Sequence, residues 1–322
     1  MSCVLGVDVG GTKVAVTPVD RTGAMLAPKL VEPSETGSAT AFLAALEETL
    51  RHALAEFAEF APAGIGVACA GTMDVVRGVA VKSPNLPLVD TPVAAPLSEA
   101  LGIPVVLEND AKAAVWGESV AGAAVGYEHV VMLTLGTGVG GGLLLNGKVY
   151  RGAHGAAGEL GHLVVQPGGL PCGCGGRGCL EMYASGRALA RYAAQRAGDA
   201  KWDPDGKLSA LNQKEELIGA AVSQLALQGY PGALEAVTEF AGWLGIALVS
   251  VTNAFDPQII VVGGGVSELG EMLLDPAVDY MRANAIAPGK YKTRVVLAKL
   301  GNDAGIVGAG LAAWAALDRA GA

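Results

Sequence analysis

The chain has 322 residues, enough for about two domains, and its 51% hydrophobic residues can fill a large buried core. Its 47 glycines sit at the ends of apolar runs without a G-X-Y period, which excludes collagen and low-complexity sequence. A net charge of −9, with 22 Lys and Arg and no basic run, argues against nucleic acid as a partner.

The opening MSCVLGVDVGG lacks the charged n-region and A-x-A site of a signal peptide. Residues 3–9 and 13–20 are β-branched runs joined by GGT, which predicts a hairpin. Apolar residues at helical spacing follow over 42–57. Residues 64–71 and 104–109 read as short buried strands. Between them a helix is expected over 91–102, with Thr91 and Pro92 as its start and Gly102 as its stop. Residues 111–124 predict another helix. The opening pattern then returns as strands over 129–135 and 141–147 around a glycine turn. The longest apolar run, 130–145, is too short and too glycine-rich to span a bilayer, so no membrane partner and a cytoplasmic location are expected. Helices over 187–197 and 235–255 flank a polar surface loop at 198–209. Strands over 258–264 and 295–300 and an apolar helix over 305–320 complete the chain. Strands alternating with helices imply a mostly parallel sheet covered on both faces. The repeated hairpin implies two related domains.

Three glycine turns end strands: DVGGTK (8–13), LGTGVGGG (135–142) and VVGGGVS (261–267). Any one alone is an ordinary turn. Together they read as phosphate cradles, because glycine lets backbone N–H groups approach an anion closely. GTGVGG satisfies G-x-G-x-x-G, but a strand rather than a helix follows it, so it is no dinucleotide fingerprint. DVGGTK lacks the Walker A spacing. A strand–GG–strand cradle in each half is the device of actin-like nucleotide-binding folds. Asp8 is then placed to face a phosphate-bound Mg²⁺ through water. Lys13 is either a phosphate partner or a solvated strand residue.

ENDAK (108–112) ends a buried strand and opens a helix. Asn109 and Asp110 could be helix caps. Alternatively Asp110 is a general base for phosphoryl transfer, its ionised form favoured at a helix N-terminus. Glu159 and His162 of GELGH, and Glu181 of CLE, are either surface residues or caps, or a set suited to hold sugar hydroxyls. His162-x9-Cys172-x-Cys174-x4-Cys179 offers one nitrogen and three sulfurs, the set for a closed, structural Zn²⁺ site. In a reducing compartment disulfides are a poor alternative. Cys3 and Cys69 lie in apolar strands and read as core residues, while His52 and His129 receive no role.

DVGGTK, SPNLP, ENDAKAAVWGE, LTLGTGVGGG, GELGH, CGCGGRGCLE and IIVVGGG occur in that order. Together, and over essentially the whole chain, they resemble the ROK family of sugar kinases and repressors, most nearly its bacterial ATP-dependent glucokinases. The resemblance implies an α/β, actin-like (ribonuclease H-like) two-domain ATPase fold with a cleft between the domains. The smaller domain would hold residues 1–115 with the C-terminal helix at about 304–322, and the larger one residues 116–303 with the zinc loop. It implies ATP with Mg²⁺ bound through Asp8, Gly10, Gly11, Thr12, Lys13, Gly136, Thr137, Gly138, Gly263, Gly264 and Gly265. Asp110 would be the base acting on the 6-hydroxyl of glucose. Gly71, Asn109, Glu159, His162 and Glu181 would complete the sugar site. A homodimer or homotetramer is expected. Two departures are Thr72 after Gly71, where many members have a G-P pair, and Leu88, where many carry Trp at what would be the pocket entrance. Kinases for N-acetylmannosamine, N-acetylglucosamine or fructose are the near alternatives. A repressor would need a winged helix-turn-helix before the first cradle, where the sequence leaves no room, and polyphosphate-dependent relatives usually lack the cysteine block.

Overall fold

The computed structural model describes residues 3–320; Met1, Ser2, Gly321 and Ala322, which the expected domain limits include, lie outside the described residues. The chain forms two compact units. The first comprises Met1–Glu128, Gly142–Gly158 and Lys299–Ala322, and the second His129–Gly141 and Glu159–Ala298.

In the first unit, β1 (Cys3–Val9), β2 (Lys13–Val19) and β3 (Leu30–Pro33) form an antiparallel meander, with Val7 opposite Val16 in the expected hairpin. Helix α1 (Ala39–Glu56) follows, starting three residues before the apolar periodicity because Ser38 Oγ accepts the Ala41 N–H at 3.1 Å. β4 (Pro62–Cys69) then lies parallel to β1. Next, β5 (Thr72–Asp74), β6 (Val79–Lys82) and β7 (Val89–Pro92) make a small antiparallel sheet. The expected helix start at Thr91 and Pro92 is therefore corrected. Thr91 Oγ1 is engaged by the backbone of Val89, the two residues end β7, and α2 runs only over Ala94–Leu101. Gly102 stops it in the left-handed region, at φ 71°. β8 (Val105–Asn109) pairs in parallel with β4, giving the order β3-β2-β1-β4-β8, and α3 (Asp110–Ala121) follows directly.

Both faces of this sheet are covered. Leu5, Val7 and Val9 pack with Phe42, Leu46 and Leu50 of α1 on one face. Burying each such side chain contributes about 2 kcal/mol before entropic costs. Val4 and Val19 meet Ala313 and Trp314 of the C-terminal helix on the other, as the period of two requires. That contact is unusually close. Gly6 and Gly66 are opposite one another on β1 and β4, and a Cβ on them would lie 2.2 Å from the Ile306 carbonyl oxygen and 1.8 Å from that of Ala309. Only glycine at both positions admits the helix backbone.

The second five-stranded sheet begins with β9 (Val130–Leu135) and β10 (Val139–Leu145). β10 is set two residues earlier than expected, because Asn146 and Gly147 form a turn at φ 53° and 70° into β11 (Lys148–Val149). In the second unit α4 (Gly186–Ala194), α5 (Lys207–Gln213), α6 (Gly219–Leu227) and α7 (Pro231–Phe255) precede β12 (Ile259–Gly263). α8 (Glu271–Asn284), α9 (Gly289–Lys292) and β13 (Arg294–Leu297) come next, then α10 (Ala304–Ala320) in the first unit. β9, β12 and β13 are parallel in the order β11-β10-β9-β12-β13. Among the described residues α7 alone is long and apolar enough to cross a membrane. Its Ala236, Phe240, Leu244, Leu248 and Val251 are fully buried, which is the pattern of a core helix.

Candidate active site

In the first unit the site is built at the junction of β8 and α3. Asn109 is the N-cap of α3, and its Oδ1 accepts the Lys112 N–H at 2.9 Å. Its Nδ2 donates to the Gly71 carbonyl at 2.9 Å and to Asp110 Oδ1 at 3.0 Å. Asp110 is the first residue of the helix and also accepts the Ala111 N–H at 2.8 Å. The capping reading holds for Asn109, whose amide at the same time bonds both the Gly71 carbonyl and the Asp110 carboxylate. Gly71 has φ 114°, and a Cβ there would lie 2.3 Å from the Lys82 carbonyl oxygen.

Asp8 lies on β1 near the same junction. Burial, and next the charge of Asp110, push its carboxyl up to about 6, with Lys13 acting in the opposite direction. A Cβ on Gly305 would meet Asp8 Oδ1 at 3.5 Å and the Asp110 carbonyl oxygen at 4.0 Å. The turn between β1 and β2 is closed by the Gly10 N–H to the Lys13 carbonyl at 2.9 Å. Thr12 and Lys13 are exposed on it. Leu88, expected at a pocket entrance, is instead fully buried in the core. Cys3 and Cys69 are core residues, as expected.

Two buried carboxylates of this unit were not singled out from the sequence. Glu108 is 1% exposed, accepts the Asn109 N–H at 3.1 Å, and receives Arg151 Nε at 2.9 Å with Nη2 beside it. Glu118 accepts the N–H groups of Ala123, Leu300 and Lys299 at 2.6, 2.7 and 3.2 Å. The available signal was a glutamate inside each apolar run, which needs a partner when buried.

In the second unit the other two glycine turns come together. β9 and β12 pair with Thr134 opposite Gly263, and a Cβ on Gly264, at φ 85°, would lie 2.6 Å from the Leu135 carbonyl oxygen. Gly136 accepts the Gly186 N–H at 2.8 Å, at the start of α4, and a side chain on Gly136 or Gly265 would enter open space. Neither position is crowded by surrounding atoms. Gly138 has one: its missing side chain makes room for Glu181, whose Oε2 accepts the Val139 N–H at 3.3 Å. A strand follows this turn, which agrees with the exclusion of a dinucleotide fingerprint.

Glu181 also accepts from Cys172 Sγ, at 3.5 Å through Oε1. His162 Nδ1, Cys172 Sγ, Cys174 Sγ and Cys179 Sγ all lie within 4.8 Å of one another, and together could hold a metal ion. His162 stands 3.7 Å from Cys172, and Cys174 stands 3.6 Å from Cys179. Sulfur ligands about 2.3 Å from a tetrahedral ion are separated by about 3.8 Å, so the donor set has the right size. Burial pushes the Cys172 thiol up to about 12, whereas the Gly176 N–H holds that of Cys174 down. His162 is exposed, and the Glu159 carbonyl accepts its N–H at 3.1 Å.

The ROK family model matches residues 4–316. A glucokinase from Streptomyces coelicolor is 39% identical over 317 residues, 96% of each chain. The crystal structure of a ROK family glucokinase from Streptomyces griseus, in complex with glucose and AMPPNP, has a TM-score of 0.84 at 38% identity, over 97% of this chain and 99% of that one. A ROK hexokinase from Thermus thermophilus gives 0.78 at 37% identity, over 98% and 99%. The α/β fold is the actin-like ATPase fold of these relatives. With the motifs in order along that scaffold and a match over nearly its whole length, the chain belongs to the ROK family.

Proposed function

We propose that this chain phosphorylates glucose at the 6-hydroxyl with ATP, giving glucose 6-phosphate and ADP. The observation that carries the reading is Asp110 at the first position of α3, its carboxylate bonded by the Asn109 amide that also bonds the Gly71 carbonyl, in a chain related over nearly its whole length to glucokinases. In the proposed step the Asp110 carboxylate takes the proton of the 6-hydroxyl as that oxygen bonds to the γ-phosphorus. The bond from the γ-phosphorus to the β–γ bridging oxygen breaks, and ADP leaves. Such a transition state needs positioning more than strong proton abstraction, which suits an aspartate. Gly71, Asn109, Glu159, His162 and Glu181 are proposed for the remaining hydroxyls. Gly10, Gly11, Thr12, Lys13, Gly136, Thr137, Gly138, Gly263, Gly264 and Gly265 are proposed for the nucleotide.

Asp8 would hold Mg²⁺ through water; its raised carboxyl, buried near Asp110, is the kind of group a cation relieves. When bound, that ion neutralises charge on the transferring phosphoryl group. His162, Cys172, Cys174 and Cys179 would hold a structural Zn²⁺, which their spacing supports. Its role is to fix the loop that carries Glu181. A homodimer or homotetramer and a cytoplasmic location complete the proposal.

The test is ADP release with glucose, N-acetylmannosamine, N-acetylglucosamine and fructose as acceptors. Glucose is expected to give the highest kcat/KM, and a higher value for another sugar would replace it as substrate.

A further inference from the structure

An ion pair behind the β8–α3 junction has no part in the chemistry above. Glu108 is the last residue of β8 before Asn109 and is almost fully buried. A helix cap of this kind leaves the N–H of the cap residue itself to be satisfied, commonly by Glu or Gln three positions into the helix. That position here is Lys112, whose side chain has no acceptor. Glu108 supplies it instead, accepting the Asn109 N–H at 3.1 Å through Oε1.

The second oxygen of Glu108 takes two donors of one guanidinium, Nε and Nη2 of Arg151. Arg151 also lies over the Trp116 ring, 5.8 Å from its centroid, on α3. One planar group therefore meets Glu108, two residues before Asp110, and Trp116 on the helix that Asp110 opens. Arg151 is itself anchored. Its carbonyl accepts the Ala157 N–H at 3.0 Å, and Gly155 in the same loop sits where a Cβ would be 2.9 Å from the Met73 carbonyl oxygen. The guanidinium thus bridges the end of β8 and the first turns of α3, the two elements that meet at Asp110.

We propose that Glu108 and Arg151 are positioning residues, acting through Asn109 to aim Asp110 at the acceptor hydroxyl. The proposal rests on the reading of Asp110 as base. Buried ion pairs contribute little net stability compared with apolar replacements. A base displaced by about 1 Å can lose about 100-fold in rate.

The test compares Glu108→Gln, Arg151→Met, Arg151→Lys and the double variant Glu108→Gln/Arg151→Met, well below their melting temperatures. Each single loss is expected to lower kcat about 10- to 100-fold while KM for glucose and ATP stays within about threefold. The double variant should be no slower than the worse single one, and Arg151→Lys should recover part of the loss. Normal kcat in the folded variants, or additive losses, would overturn the proposal. If Arg151→Met does not fold, the nearly isosteric Glu108→Gln decides alone. An inactive wild type would overturn this and the base reading together. An active wild type that loses turnover on Asp110→Asn, but not on the pair variants, would overturn the positioning role only.

Discussion

Glu181 occupies the space of a missing side chain on Gly138: a Cβ there would lie 2.3 Å from Glu181 Oε2. The carboxylate thus joins the cysteine cluster, through Cys172, to the turn between β9 and β10. Gly138→Ala must displace Glu181 from the Val139 N–H. If Glu181 holds the sugar, glucose KM should rise at least about tenfold, the scale of a lost charged hydrogen bond. An unchanged KM would separate Glu181 from the sugar.

Gly66 and Gly136 make a contrasting pair for stability. Gly66→Ala would drive a methyl to within 1.8 Å of the Ala309 carbonyl oxygen, whereas Gly136→Ala enters open space. Gly66→Ala is expected to cost about 3 kcal/mol or more, or to prevent folding, by forcing α10 off the sheet. Gly136→Ala should leave stability within about 0.5 kcal/mol and weaken ATP binding. Thermal melts with a nucleotide titration check both halves.

Much of this was legible in the sequence. The β1–β2 hairpin declares itself through β-branched runs joined by a glycine turn, α1 through apolar helical spacing, and α7 and α10 as long apolar segments. The four candidate metal donors converge as their spacing suggested. The β5–β7 sheet escaped because its strands are short and alternate weakly: Met73, Ala80 and Thr91 are buried among exposed Lys82, Val89 and Asp90. The roles of Glu108 and Glu118 escaped for another reason. Their partners, Arg151 and the backbone of Lys299 and Leu300, are remote in the chain, and a single sequence does not pair distant residues.

The metal proposal predicts about one zinc per purified chain. Cys172→Ser should lower the metal content and, because Glu181 leans on Cys172, weaken glucose binding as well. Metal analysis alongside calorimetric titration with glucose measures both. A metal-free wild type with full glucose affinity would refute the site.

A pH effect on stability is expected from Asp203. Burial would raise its carboxyl, but hydrogen bonds from Ser209, Tyr230 and the Gly198 and Leu208 N–H groups outweigh this and hold it well below the usual range. The folded carboxyl is harder to protonate than the unfolded one. Its contribution is therefore complete above about pH 4–5 and is lost as pH falls through and below the ordinary carboxylate value of about 3.9. Asp203→Ala should cost about 3 kcal/mol at pH 7, and the gap from wild type should shrink in acid. Urea melts at pH 7 and pH 3 compare the two, and a gap that does not shrink would remove Asp203 from this role.

On the proposed reading, Asp110 acts as base in ATP-dependent phosphorylation of glucose. The most direct measurement is turnover of Asp110→Asn beside its glucose affinity by calorimetry. A loss of at least about 10³-fold in kcat is expected, the upper part of the usual range for a positioned base, with glucose binding still measurable. Turnover near that of the wild type would contradict it.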